Sequence, residues 1–445
     1  MKKINYIVST LVVIGILMNS CSKILDVYPT LEISDETALT TEEGLQTALI
    51  GAYDRLQSGY LYGGRIWVGG DMLADNVKKS GDYALVYEEI QFMEKTLSPD
   101  NLITAAGWAD AYFTINIVNR IIEVLNKGEV EVPADEKSRM RGECLFIRSL
   151  LYFDMVRYWG NPNNGLGVPL VLEPTGIEAQ PSRAASVDVY AQVIADLQKV
   201  INLLPRKKQE RADSYAAEAL LSRVYFYNKN YAEAATAATH IIESGEYSLV
   251  ADVLENYLDY DVAVLDEIVF ALRSASNDYS CGTLNDFFRK ASTPRFSPSN
   301  KMMEVFRFLS GEDDQRFTKL FTTIEGKTYT TKYDNRYMNV PLIRLAELYL
   351  TRAECRLEAG DEAGAIADVN VIKERAGLDP VTSLTFNNIY WERYQELFFE
   401  GDNFHNQKRL QKAKVSNLEL PWDSPRLLYK IPQREIDVNP NLVQN

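Results

Sequence analysis

The stretch Leu220–Tyr247, LLSRVYFYNKNYAEAATAATHIIESGEY, decides the fold. Leu221, the small Ser222 and Tyr225 lie on one helical segment, and Tyr231 and Ala234 on the next. At that spacing two short helices fold back on one another: the small side chain lets the second approach the first, and the aromatics fill the remaining gap. A second copy reads YLTRAECRLEAGDEAGAIADVNVIKERAG, Tyr349–Gly377, with Ala353 as the small residue, Gly360-Asp361 at the turn and Ala365 on the following helix.

This is the spacing of a tetratricopeptide helix pair. The two copies are too far apart in the chain to be tandem repeats. Helices expected near Ala134–Trp159 and Val187–Leu204 supply further pairs, so the expected fold is mainly α, an α-solenoid-like core carrying long loop-rich inserts. TEEGLQTALIGAYDRLQ places Leu45, Leu49, Tyr53 and Leu56 on one helix face. Asn101–Gly128 and Ala134–Gly160 continue the helical period over longer spans, each ending at a glycine stop. Strand-like alternation is confined to Glu267–Leu272 and Thr328–Lys332. The inserts are Ser58–Pro99, Asn161–Ala185 and Tyr247–Val340. Loops of that length in a compact chain usually carry function.

The N-terminus is of another kind. Lys2 and Lys3 precede an apolar run, Ile7–Met18, about 18 Å long as a helix against a hydrocarbon core of roughly 30 Å. It is too short to span a bilayer and suits a secretory signal. MNSC follows, a small residue directly before cysteine, and resembles the cleavage site at which a bacterial lipoprotein acquires lipid on Cys21. The expected divisions are a signal peptide over 1–20, a lipidated tether over 21–40, an N-terminal helical region over 41–245 and a C-terminal region over 246–445 with a loop insert and a helical pair.

The formal charge of −15 argues against a nucleic-acid partner, which needs a clustered cationic face. Cys144, Cys281 and Cys355 form no C-x-x-C motif and are expected as buried free thiols, with no metal and no cofactor. The 26 Tyr, 17 Phe and 5 Trp suit a ligand with an apolar face and a polar rim, as a sugar ring has.

Several segments, in order, resemble the SusD/RagB family, the lipid-anchored outer-membrane nutrient-binding proteins of Bacteroidetes. They are CSKILDVYPT after the signal, ECLFIRSLLYFDMVRYWGNPNNGLGVPLVLEP (Glu143–Pro174), IRLAELYLTRAECRLEAGD, RYQELFFEGDNFHNQKRL and YKIPQREIDVNPNLVQN. After FFEG the chain departs from the family pattern at Asn403, Phe404 and Asn406, read here as altered local packing. The resemblance implies four tetratricopeptide-type pairs and a surface role: capture of glycan and its delivery to a SusC-type TonB-dependent transporter, without catalysis. Two alternatives stay open, a peptide-binding RagB-like uptake lipoprotein and a periplasmic tetratricopeptide scaffold.

Enzyme chemistry lacks parts. His240 and His405 are isolated, no G-x-S-x-G or phosphate loop occurs, and the acid pairs Glu88-Glu89 and Asp313-Asp314 read as solvated faces. Asp314-Gln315-Arg316 reads as structural. Candidate ligand contacts are Trp67, Asp82, Tyr83, Tyr87, Asn277, Asp278 and Tyr279, which lie in inserts and outside helical core periodicity. Trp108, Tyr112, Tyr158 and Trp159 are assigned to the core.

Overall fold

The computed structural model describes residues 39–81, 83–206, 210–257, 266–275, 277–289 and 294–445. The signal segment, Cys21, the tether up to residue 38 and Asp82 lie outside the described residues.

Helix α1 (Glu42–Leu56) starts at Thr41, whose hydroxyl accepts from the Gly44 N–H, and buries Leu45, Leu49, Ala52 and Leu56. α2 (Arg65–Leu73), strand β1 (Val77–Lys79) and α3 (Tyr87–Glu94) build the first insert. α4 (Leu102–Lys127) is capped by Asn101 and stopped by Gly128 at φ +69°. α5 (Ala134–Trp159) ends differently: Gly160 has φ −66°, so its lack of a side chain, not left-handed backbone, is what the turn uses, since a Cβ there would stand 2.2 Å from the Val156 carbonyl oxygen. α6 (Ser186–Leu203), α7 (Ser214–Tyr227) and α8 (Tyr231–Ile242) follow.

The chain then leaves the helical row for β2 (Ile268–Leu272), α9 (Gly282–Phe288), β3 (Phe296–Pro298), α10 (Asn300–Leu309), α11 (Gln315–Leu320), β4 (Phe321–Ile324), β5 (Lys327–Thr330) and β6 (Val340–Arg344). It re-enters through α12 (Leu345–Glu358), α13 (Glu362–Arg375), α14 (Phe386–Glu396), α15 (Asn403–Arg409) and α16 (Gln433–Val438).

Each helix of the row packs on its predecessor from α4 to α8, and α8 then packs on α12, which carries α13 and α14. The two helix pairs that are remote in sequence are therefore neighbours in space. Antiparallel pairing of β2 with β6, from Ile268 opposite Arg344 to Leu272 opposite Val340, closes the third insert at its base and returns the chain to the row. Ala234 and Phe226 share a buried cluster with Cys355 of α12, and the Ser222 hydroxyl donates to the Ala234 carbonyl at 2.8 Å. Ala353 and Ala365 sit together in the adjoining cluster. The expected strands appear as β2 and β5; β1 with β3 and β4 with β5 complete the other two-stranded ladders among the described residues. Pairing of β1 with β3, Val77 opposite Pro298, ties the first insert to the third.

The third insert is fastened to the row by buried ion pairs. Asp314 caps α11 and holds Arg316 at 2.8 Å; both are fully buried. Arg316 also reaches Glu392 and Glu396 of α14, and Arg344 of β6 reaches Glu267, Glu396 and Glu400. The Asp314-Gln315-Arg316 segment is thus structural. The departures on α15 are also absorbed locally: Asn403 donates to Asn76, and Asn406 accepts from Arg409. Trp108, Tyr158 and Trp159 are buried, with Tyr112 packed half-buried against the same core.

Candidate functional site

The first insert's turn, Gln57–Gly64, is clamped to the start of α9, where the Leu284 N–H donates to the Gly63 carbonyl at 3.1 Å. Beside it, a short loop is knotted at its base by Ser274, whose hydroxyl lies 2.8 Å from that of Ser280 and donates to the Met338 carbonyl at 2.7 Å. A backbone bridge from Ala275 to Asp278 narrows the loop. The loop therefore presents Asn277, Asp278 and Tyr279 to solvent, and all three are exposed. Partial burial, and then the nearby Asp54 charge, raises the Asp278 carboxyl above its ordinary value.

Tyr279 does not stand alone. The Arg336 guanidinium lies 4.0 Å from its ring centroid, and Tyr337 meets it edge-on at 5.7 Å. On the first insert, Arg65 sits 5.0 Å over Tyr60, which is 39% exposed, and 5.3 Å from Phe287. Arg295 continues the line, 5.4 Å from Phe287 and 5.1 Å over Tyr83. Its own charge is met by Glu89 at 2.7 Å. Burial, with Arg295 nearby, pulls the Arg65 guanidinium down from its ordinary value, although Tyr60 and the acids around it oppose that shift.

The result is a strip in two groups, Tyr60 and Tyr83 with Arg65 and Arg295 around Phe287, and Tyr279 and Tyr337 with Arg336, which meet at the start of α9, where Gly59 and Gly64 approach Thr283 and Gly282 approaches Tyr279. Such a surface offers ring faces to C–H groups and fixed forks of N–H donors to hydroxyls. Of the candidates named from the sequence, Tyr83 falls in the first group and Tyr279 in the second, with Asn277 and Asp278 on the loop of Tyr279. Tyr87 is 71% exposed at the start of α3, two positions before Glu89.

Trp67 is a correction. It lies inside α2 and is 7% exposed, packed where a Cβ on Gly401 would stand 2.4 Å from its ring, so it is a core residue and offers no outer face. Insert membership misled because this insert contains a helix of its own, buried from Ile66 to Leu73. Tyr60, Tyr337, Arg65 and Arg336 were missed. The tyrosines satisfy the criterion that selected Tyr279, aromatic residues in a polar insert, whereas the arginines carry no local signal.

The acid pairs are not the solvated faces expected, since one member of each is buried. Glu89 is buried, caps the Val86 N–H and binds Arg295, while Glu88 stays half-exposed. Asp313 is exposed and Asp314 is fully buried. Cys144, Cys281 and Cys355 are free and buried, and burial pushes the Cys355 thiol up to about 12. Among the described residues no helix is long and apolar enough to cross a membrane, and no group of three His, Cys, Asp or Glu is placed to hold a metal ion.

The helical row with its long inserts matches known proteins in sequence and in fold. A family model described as starch-binding and associating with the outer membrane matches residues 23–226, and the SusD family model matches 315–419. SusD-like protein P38 of Formosa agariphila is 24% identical, over 100% of this chain and 99% of that protein. A SusD superfamily crystal structure from Bacteroides thetaiotaomicron has a TM-score of 0.80 at 26% identity, covering 91% of this chain and 99% of its own. Surface glycan-binding protein A from Bacteroides uniformis has a TM-score of 0.78 at 21% identity, covering 91% and 99%. The chain belongs to the SusD/RagB family. No enzymatic family is indicated.

Proposed function

We propose that this protein is a surface glycan-binding lipoprotein that captures oligo- or polysaccharide and passes it to a SusC-type TonB-dependent outer-membrane transporter. The observation that carries the reading is the pairing of tyrosines with arginines on two inserts that meet at α9, Tyr60 with Arg65 and Tyr279 with Arg336 and Tyr337. The family's description as starch-binding, and the name of the Bacteroides uniformis protein, support a glycan as the ligand. Asn277, Asp278 and Tyr87 are all exposed and would serve as further polar and aromatic contacts.

Anchoring would come through Cys21, whose acyl chains each contribute about 0.8 kcal/mol per buried methylene, with residues 22–40 as the tether. Metabolic labelling with an alkyne fatty acid tests this: label is expected on the native chain and absent from Cys21→Ala. Affinity gels and calorimetry against a polysaccharide panel test the ligand. Retardation by at least one glycan, weakened in Tyr279→Ala, is expected. Binding to oligopeptides with no response to sugars would overturn it in favour of the peptide reading, and protection from protease on intact cells would favour the periplasmic scaffold.

A further inference from the structure

A cavity of about 200 Å³ lies away from the tyrosine strip, where the C-terminal end of α5, the start of α6 and the end of α7 meet α15. Four of its lining residues are basic: Arg157, His405, Lys408 and Arg409. No acid lines it, in a chain with a formal charge of −15.

The basic groups are unequally satisfied. Arg157 is paired with Asp154, and Arg409 with Glu354 at 2.8 Å. Lys408 has no carboxylate in ion-pair range among the described residues; its ammonium donates to the Arg157 carbonyl at 2.9 Å and keeps further N–H donors. Burial, then the Arg157 charge, holds that ammonium down to about 7, the condition of a cation short of a counter-charge. His405 is 3% exposed, and its Nε2 has no hydrogen-bond partner. Burial and the surrounding Arg157, Lys408 and Arg223 charges keep its ring neutral. Lys408, partly exposed and without a carboxylate partner among the described residues, is therefore the cation of this cavity left to meet an anion.

The remaining walls are largely aromatic. Tyr190, Tyr227 and Trp422 line the same cavity, with Ser186 among them. About 150 Å³ accommodates a benzene ring, so the volume here leaves room for a single six-membered ring with a substituent.

We infer that this cavity binds a single-ring carboxylate, the carboxylate meeting Lys408 and the ring lying among Tyr190, Tyr227 and Trp422. The ring can be a sugar acid or an aromatic acid, since both present one flat face and one anion.

Saturation-transfer NMR and calorimetry on the purified protein, with D-glucuronate, benzoate and D-glucose as probes, test this. At least one carboxylate is expected to bind, and the one that does identifies the ring type. Lys408→Met should weaken it at least tenfold and Trp422→Leu about fivefold, each at an unchanged unfolding midpoint, while Tyr279→Ala on the outer strip leaves it unaltered. Binding by neither carboxylate overturns the inference. So does binding that survives both cavity substitutions, or that is lost in Tyr279→Ala. Should Lys408→Met fail to fold, Trp422→Leu and Ser186→Ala decide on the same criteria.

Discussion

Replacing Glu396 by Gln should destabilise the protein by about 3 kcal/mol at pH 7, with a pH signature of its own. Glu396 is fully buried; one carboxylate oxygen lies 2.9 Å from Arg344 and 2.5 Å from Arg375, the other 3.4 Å from Arg316. Removing one partner of a buried ion pair costs about 3–5 kcal/mol, because the opposite charge stays buried. The lower end applies here. Gln keeps the volume and one acceptor oxygen, and each arginine retains another carboxylate: Glu267 and Glu400 for Arg344, Glu267 for Arg375, Asp314 and Glu392 for Arg316. Burial alone would raise the Glu396 carboxyl, but the Arg375, Arg344 and Arg316 charges reverse this and hold it well below the usual carboxylate range. A depressed folded-state value means that the stabilisation is complete above the unfolded value of about 4.3 and is lost as pH falls toward the folded one. The gap between wild type and Glu396→Gln should therefore narrow by about 1.4 kcal/mol per pH unit below about pH 4.3. Urea unfolding followed by tryptophan fluorescence at pH 7 and pH 3.5 measures both effects. A gap under about 1 kcal/mol at pH 7, or one that does not change with pH, would refute the reasoning.

Two further perturbations read other parts of the fold. Ala353→Leu adds volume where α12 meets α13, at a side chain with no exposure, and should cost about 1–3 kcal/mol by overpacking, seen as a lower denaturant midpoint at unchanged slope. Asp71→Asn should act in the opposite direction. Asp71 is buried; burial raises its carboxyl from 3.8 to about 7 against the opposing hydrogen bond from Asn76, and Oδ2 has no partner. Because the folded state holds a proton that the unfolded state has released, this group lowers stability as pH rises from about 4 to about 7, by at most about 4 kcal/mol. The asparagine variant should match wild type at pH 4 and exceed it at pH 8 in thermal melts; a less stable variant at pH 8 contradicts this.

The helical row was legible because its signals are local. Ser222, Ala234, Ala353 and Ala365 mark close helix approaches within a few residues of chain, and Thr41 and Asn101 cap helices in the positions their hydrogen-bonding side chains dictate. Adjacency of α8 and α12 was not legible, since it depends on β2 pairing with β6 across the whole third insert. The strip was half legible for the same reason. Tyr83 and Tyr279 could be chosen as aromatic residues in polar loops, but Arg65 meets Phe287 only because the turn at Gly63 meets α9, a contact far apart in sequence. Trp67 failed because chain position outside the row did not mean position outside the core.

The ion network and the strip are linked by architecture. A loop that recognises a ligand needs its aromatics held within a fraction of an ångström, and loops alone seldom give that. Here the third insert is fixed at one end by Arg344 and Glu267 at the β6–β2 ladder, and at another by Arg316 and Asp314 beneath α11. Lys332, fully buried, adds a third point by donating to the Phe398 carbonyl and pairing with Glu400. Lys332 is four residues from Arg336, which stacks on Tyr279. Loosening the network should therefore weaken ligand binding as well as stability: Glu396→Gln, assayed at a temperature where it remains folded, is expected to lower glycan affinity without touching a ligand contact. Full affinity in the folded variant would separate the two, leaving the network a stabilising device alone.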